Sequence, residues 1–349
     1  MKYSIIVPVF NRPNEVDELL DSLTRQTIRD FEVIIVEDGS QIPSQDVCEK
    51  FRDRLNLIYL TKENSGPGQS RNYGVAHANG EYVIILDSDV VLPEGYLQAI
   101  EEELRRKPCD AFGGPDRAHV SFTDTQKAIS YSMTSFFTTG GIRGGKKKLD
   151  KFYPRSFNMG IRRDVYQKLG GFSKMRFGED IDFSIRIFKA GCKCRLFPDA
   201  WVYHKRRTDF RKFWRQVYNS GIARINLYMK YPESLKPVHI LPMMFTVGVI
   251  CLVLVVCLGI LNFFWGTTHM QQSFGLAAMV YGSAPILLYA LLVFIHSSIL
   301  NKSLKIGCLS IRAAFTQLMG YGCGFMEAMW KRMVLQKSEF SAYEKNFYK

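Results

Sequence analysis

Four apolar runs, each closed by polar residues, open the chain: YSIIVPVF (3–10), FEVIIVEDGS (31–40), LNLIYLTKE (55–63) and EYVIILDSD (81–89). Each is a continuous apolar stretch, the pattern of a parallel strand covered on both faces. Between the first two, Val16, Leu19, Leu20 and Leu23 recur on one helical face, with Asn14 as the expected N-cap and Asp17 at the capping-box position. A short helix is expected around 68–78 after SGPG, and a longer one in PEGYLQAIEEELRRK after Pro93. Strand and helix alternate, so the prediction is a doubly wound α/β domain. Such sheets bind ligands at the carboxyl ends of their strands, where EDGS and DSD stand.

Residues 113–157 break this rhythm. They contain TTGGIRGGKKKLDKFYPR, rich in Gly and Lys, which reads as a mobile loop over the site. Helical patterning returns in NMGIRRDVYQKLGGF and FGEDIDFSIRIFKAG. There Ile181, Ile185 and Phe188 form one face and Gly191 is placed to end the helix. Further on, residues 240–264 and 274–300 carry no charged side chain, and each exceeds the ~20 residues that span a bilayer. A third apolar stretch, 306–330, holds Arg312 and Glu327, which favours an interfacial or re-entrant segment. The expected organisation is a catalytic domain over 1–236 and a membrane region over 237–349.

Charge gives an orientation. The chain of 349 residues has a net charge of +13, which suits an anionic partner such as a phosphate-bearing substrate or an acidic membrane face. The segment 201–236 is basic, through Lys205, Arg206, Arg207, Arg211, Lys212 and Arg215. The link GTTHMQQS between the two spans has no Lys or Arg, while NKSLK and the tail from Lys331 are basic again. The positive-inside rule then places the catalytic domain and the tail in the cytoplasm of a multi-pass inner-membrane protein. The opening MKYSIIVPVF has one Lys, an apolar run broken by Pro8 and no small-residue cleavage site, so it reads as a first strand and not as a secretory signal. The eight cysteines are scattered, and Cys192-Lys193-Cys194 has no second pair at zinc spacing, which suggests reduced thiols facing the cytosol.

Two carboxylates one residue apart repel each other. In an extended segment Asp87 and Asp89 point to the same side, and together they make a hard-oxygen site suited to Mg²⁺ or Mn²⁺. With few protein ligands the cation keeps open positions, which a diphosphate would fill. A second acidic pair, Glu179 and Asp180, opens a helix, where the macrodipole favours negative charge. A carboxylate held there can take a proton from an acceptor hydroxyl.

SIIVPVFN, VEDGS, GPGQSRNYG, GEYVIILDSD and FGEDIDFSIRI occur in an order and at spacings that resemble the family-two glycosyltransferases of the GT-A fold, over roughly residues 3–225. The resemblance implies a nucleotide-diphospho-sugar transferase domain. It puts Asn11 and Asp38 at the nucleotide base and ribose, and Arg71 where a cation meets the nucleotide. Asp87 and Ser88 would bind the donor, and Asp89 would hold the metal. The family commonly has Asp-Asp-Gly-Ser where this chain has Glu37-Asp38-Gly39-Ser40, so a ligand role for Glu37 is not carried over. Asp180 would be the general base beside Glu179 on the acceptor side. His204 in WVYH would reach metal or diphosphate, and Asn158 matches a position near the acceptor.

The implied function is inverting transfer of a sugar from a nucleotide-diphosphate sugar to a hydroxyl of a lipid-linked glycan at the cytoplasmic membrane face. The expected cofactor is Mn or Mg, with membrane lipid as a contact and no nucleic acid partner. A polyprenyl-phosphate sugar synthase is the alternative; its acceptor is already an anion and needs no base at 179–180. A processive synthase is disfavoured because Gln216-Val217-Tyr218-Asn219-Ser220 lacks the Gln-x-x-Arg-Trp pattern and two spans make a poor channel. A non-enzymatic scaffold would not need all of these carboxylates.

Overall fold

The computed structural model describes residues 1–117, 122–139, 152–205 and 207–339. The chain divides into two compact units, Met1–Val120 with Lys148–Lys205, and Ser121–Lys147 with Arg206–Lys349. They part at residue 205, inside the basic segment, rather than at 236 where the composition shifts.

The first unit begins with the expected alternation: β1 (Tyr3–Val9), α1 (Pro13–Thr24), β2 (Phe31–Asp38), α2 (Gln45–Glu49), β3 (Leu57–Lys62), α3 (Pro67–Ala76) and β4 (Tyr82–Leu86). It continues through β5 (Val90–Val91), α4 (Tyr96–Arg106), β6 (Ala111–Gly113) and β7 (Asp116–Arg117). Among the described residues, a seven-stranded sheet runs in the order β3-β2-β1-β4, then β8 (Asn158–Arg162), β6 and β9 (Cys194–Leu196). β1 to β4 are parallel, as the apolar runs predict. β8 runs antiparallel to both β4 and β6, so the sheet is mixed rather than wholly parallel. Burial of both faces is common to either arrangement, and the apolar pattern cannot separate them. One face carries a core around Ile5, Val7, Leu19, Leu20, Ile84 and Phe112, and the other a core around Ile6, Ile34, Ile85, Met159 and Phe183.

Local departures have local causes. α1 starts at Pro13, with Arg12 at the N-cap and no side-chain cap, so Asn14 lies inside the first turn and does not cap it. Proline has its φ preset for the first helical turn and no N–H to leave unpaired, which fixes the start two residues earlier. Gly74 lets α3 settle on the sheet; a Cβ there would stand 2.6 Å from Ile6 Cγ2. The chain then passes α7 (Arg163–Lys168) and α8 (Glu179–Lys189), which ends at Gly191 with φ +73°, as its sequence signal predicts.

A second, three-stranded sheet has the order β5-β10-β7, where β10 is Val202–His204. Its register sets His204 opposite Val90 and so ties the end of the α/β unit to the DSD turn.

The second unit is helical. α5 (Asp124–Thr134) has a full capping box between Thr123 and Gln126, and α6 (Phe136–Thr139) follows. The interval 113–157 therefore holds helix as well as strand; the Gly- and Lys-rich stretch read as a mobile loop falls mostly on 140–151, outside the described residues. α9 (Phe210–Lys230) packs on α12 (Leu304–Met329). α10 (Leu241–Trp265) and α11 (His269–Asn301) are long and apolar enough to cross a membrane, with mean hydropathy 3.0 and 2.1 over their best windows. α12 is a continuous helix whose charged groups find partners: the Arg312 guanidinium lies 4.5 Å from the Phe210 ring centroid, and Glu327 takes Lys331 at 2.6 Å and the Tyr218 hydroxyl.

Candidate active site

The DSD turn follows β4 directly. Lys205 N–H donates to the Asp89 carbonyl at 3.0 Å, and the β5–β10 pairing carries the His204 ring to the Asp89 carboxylate, Nε2 to Oδ1 at 3.2 Å. Phe157 stacks on that ring with centroids 4.8 Å apart. One ligand atom from each of Asp87, Asp89 and His204 falls within a set no more than 4.8 Å across. The two carboxylates suit Mn²⁺ or Mg²⁺, and an imidazole beside them favours the transition metal of the two. The His204 Nδ1 is buried and has no hydrogen-bond partner among the described residues, so the ring is not committed on its far side. The residues present fit a divalent cation.

Arg71 connects this turn to the second acidic pair. Its side chain is 3% exposed; Nη2 donates to Asp87 Oδ1 at 2.9 Å and Nη1 to Glu179 Oε1 at 2.8 Å. The Phe172 ring lies beside the guanidinium, with its centroid 5.1 Å from Cζ. A cation expected to meet the nucleotide is thus a buried clamp between β4 and α8. Burial pushes the Glu179 carboxyl up and Arg71 opposes this, while neighbouring Asp180 adds to the rise; the direction is upward. Asp180 itself accepts from the Ile181 N–H at 2.8 Å, and Arg155 Nε stands 3.4 Å from its Oδ2.

The expected base and ribose residues build the neighbouring loops. Asn11 adopts φ +54°, a left-handed conformation that asparagine tolerates better than most residues. Its Oδ1 accepts from Gln41 N–H at 2.7 Å and Ile42 N–H at 2.9 Å, so it holds the loop after β2. Asp38 is buried and accepts from Lys62 Nζ at 2.7 Å, Ser65 N–H at 2.9 Å and Gly66 N–H at 2.8 Å. Gly66 makes that turn with φ +89°. Glu37 points into the protein, accepting from Ser44 N–H at 2.9 Å, Ser44 Oγ at 2.6 Å and Tyr59 OH at 3.1 Å. The longer side chain is therefore a loop anchor. Ser88 is buried in the DSD turn. Asn158 stands opposite Leu86, directly before the DSD turn; it is buried, its Oδ1 accepts from Tyr96 OH at 2.7 Å, and its Nδ2 donates to the Ala200 carbonyl at 2.8 Å.

Burial pushes the Asp38 carboxyl up, but Lys62, Ser65 and Ser70 outweigh it and hold the group below its ordinary range. A carboxyl depressed on folding stabilises the native state above its unfolded pKa, and that contribution is lost as the pH falls through the folded value. Asp38→Asn is accordingly expected to cost about 1–3 kcal/mol at neutral pH. The difference should shrink as the pH drops below the ordinary Asp value of 3.8. Urea unfolding of both proteins over an acid series measures it; a gap that stays constant with pH would reject the linkage.

Three neighbours of the site carry no local sequence signal: Arg12 at 3.0 Å from Asp89 Oδ2, Arg155 beside Asp180, and Phe157 on His204. Only Arg12 has a hint, its adjacency to Asn11.

A mixed sheet with an acidic turn after its fourth strand, clamped to a second acidic pair at a helix head, defines an α/β domain of the GT-A type. Residues 4–170 match the family model described as Glycosyl transferase family 2, and the chain carries a glycosyl transferase family 2 domain. It is similar to Glycosyltransferase GlyA of Streptococcus pneumoniae, 33% identical over 247 residues, which cover 64% of this chain and 33% of GlyA. The chain thus spans about a third of that relative's length. It is also similar to Glycosyltransferase AglE of Haloferax volcanii, 24% identical over 251 residues, or 70% of this chain and 80% of AglE. Among solved structures, the mannosyltransferase PcManGT of Pyrobaculum calidifontis, in complex with GDP-Man and Mn²⁺, aligns with a TM-score of 0.57 at 16% identity. The alignment covers 95% of this chain and 88% of that one. At that identity the likeness is one of fold.

Proposed function

We propose that this chain is a metal-dependent, inverting glycosyltransferase that moves a sugar from a nucleotide-diphosphate sugar to a hydroxyl of a lipid-linked glycan at the cytoplasmic face of a membrane. The observation that carries the reading is the Arg71 clamp, which fixes a cation-competent turn and the Glu179-Asp180 pair to one guanidinium. Donor leaving group and acceptor hydroxyl need two such groups side by side. The family 2 domain and a fold relative bound to GDP-Man and Mn²⁺ support the donor class.

Asp87, Asp89 and His204 would hold the cation, which when bound supplies positive charge for a departing diphosphate. Asn11 and Asp38 shape the loops at the ends of β1 and β2, where the base and ribose are expected. Arg71 sets the head of α8 through Glu179 and so aims Asp180. Asp180 takes the proton of the acceptor hydroxyl; the oxygen bonds to the anomeric carbon as the bond to the diphosphate oxygen breaks on the opposite face, and one displacement inverts the centre. Holding both reactants in line supplies much of the rate.

Two features support the membrane side. α10 and α11 have the length and hydropathy of spans, and their side chains are largely exposed. The basic residues of 201–236 suit anionic headgroups. Together they favour an acceptor held at the bilayer.

Asp89→Asn tests the cation site with little change in size. Transfer is expected to fall by about 100-fold or more, and chelation of divalent cations should abolish the activity of the wild type. Product formation with and without chelator measures both. Full wild-type activity in chelator would remove the metal from this mechanism.

A further inference from the structure

Arg12 Nη1 donates to Asp89 Oδ2 at 3.0 Å, and His204 Nε2 stands 3.2 Å from Oδ1 without hydrogen-bond geometry. A divalent cation on Asp89 must share that carboxylate with a guanidinium or displace it, and two positive groups on one carboxylate repel. Among the described residues, the other basic side chains on the donor-side carboxylates are enclosed, while Arg155, on Asp180, is 33% exposed. Arg71 is 3% exposed and bonded to two acids, and Lys62 is 17% exposed with bonds to Asp38 and to the loop after β3. Arg12 differs. Its side chain is 35% exposed, and a second acid, Glu15, already stands 3.6 Å from the same nitrogen. It sits on the short connection between Asn11 in its left-handed conformation and Pro13 at the start of α1, with a long, partly exposed side chain.

We propose that Arg12 is a built-in counter-ion for Asp89, which exchanges for the divalent cation when a nucleoside diphosphate gives the guanidinium a new partner. This rests on the reading of Asp87, Asp89 and His204 as the cation site and adds an order to its loading. Without nucleotide, Arg12 neutralises Asp89 and competes with the cation. The planar donor fork of a guanidinium binds phosphate oxygens well, so the arrival of a diphosphate frees Asp89. Cation and nucleotide then bind cooperatively, and by linkage each tightens the other by the same factor. The acidic turn is thereby kept from collecting stray cations and is opened by the donor's own phosphates.

The test is Mn²⁺ binding to the full-length, detergent-solubilised chain, followed by the electron paramagnetic resonance signal of free Mn²⁺. Wild type, Arg12→Gln and Arg12→Lys are titrated with and without UDP or GDP, with correction for Mn²⁺ bound to nucleotide in solution. Without nucleotide, Arg12→Gln should bind Mn²⁺ about tenfold more tightly than wild type, and Arg12→Lys, which keeps the charge, should stay near wild type. Nucleotide should tighten Mn²⁺ more on wild type than on Arg12→Gln. Equal or weaker nucleotide-free binding by Arg12→Gln overturns the exchange and leaves the cation site standing. Absence of Mn²⁺ binding to all three proteins, with nucleotide as well as without, overturns the cation site and the exchange with it.

Discussion

Asp180→Asn is expected to lower transfer by ~10²–10⁴-fold while the donor still binds. Asparagine keeps the shape of the side chain and can still accept from the Ile181 N–H, which now meets Asp180 Oδ1 at 2.8 Å. It cannot take a proton from the acceptor. Arg155 loses its carboxylate partner but is a third exposed and regains water, so the head of α8 should hold. The donor side rests on the β1, β2 and β4 loops and on Asp89, none of which this substitution touches. The loss should therefore appear in the chemical step and not in donor affinity. Calorimetry of nucleotide-sugar binding beside product formation separates the two. Glu179→Gln should act differently, because Glu179 is bonded to Arg71 and its loss disturbs the clamp. Near wild-type transfer by Asp180→Asn would sink the base assignment and favour a polyprenyl-phosphate acceptor, which needs no deprotonation.

Arg71→Met is expected to destabilise the α/β unit by about 3 kcal/mol, the lower end of what removing one partner of a buried ion pair costs. Methionine fills much of the same space against Phe172, so the loss is electrostatic. Two carboxylates lose their cation together. Asp87, 30% exposed, recovers hydration, but Glu179, 10% exposed, does not. Its carboxyl, already pushed upward by burial, should then take up a proton. Adding Glu179→Gln to Arg71→Met should recover part of the loss, since no buried acid is left unpaired. Urea unfolding followed by proteolysis of the α/β unit measures the four corners of this cycle. A cost below 1 kcal/mol, or strict additivity, would show that Arg71 does not couple the two acidic segments.

These two outcomes lie where the sequence was least and most informative. The positions of the DSD turn after β4, of Glu179-Asp180 at the head of α8 and of His204 in a strand were legible, while their roles come from the family resemblance. The apolar runs fixed β1 to β4, and Gly191 fixed the end of α8, since burial on both faces and a left-handed cap leave local marks. The direction of β8 was not legible. An apolar strand reads the same parallel or antiparallel, and only pairing with β4 and β6 decides it. The start of α1 lies two residues before the one expected, because Pro13 at the first helical position sets the N-cap at Arg12.

The residue pattern states an inventory: a resemblance to the family-two glycosyltransferases, two acidic pairs, and two stretches with the composition of membrane spans. The tertiary structure decided how that inventory is wired. It buried Arg71, expected beside the nucleotide, between Asp87 and Glu179, gave Asn158 buried partners, turned Glu37 and Asp38 onto their own loops, and set Arg12 on Asp89. Residues 12 and 89, or 71 and 179, are brought together only by sheet order and helix packing. Charge attraction between such distant positions leaves no periodicity in the chain, because its partner is chosen by the fold and not by sequence spacing.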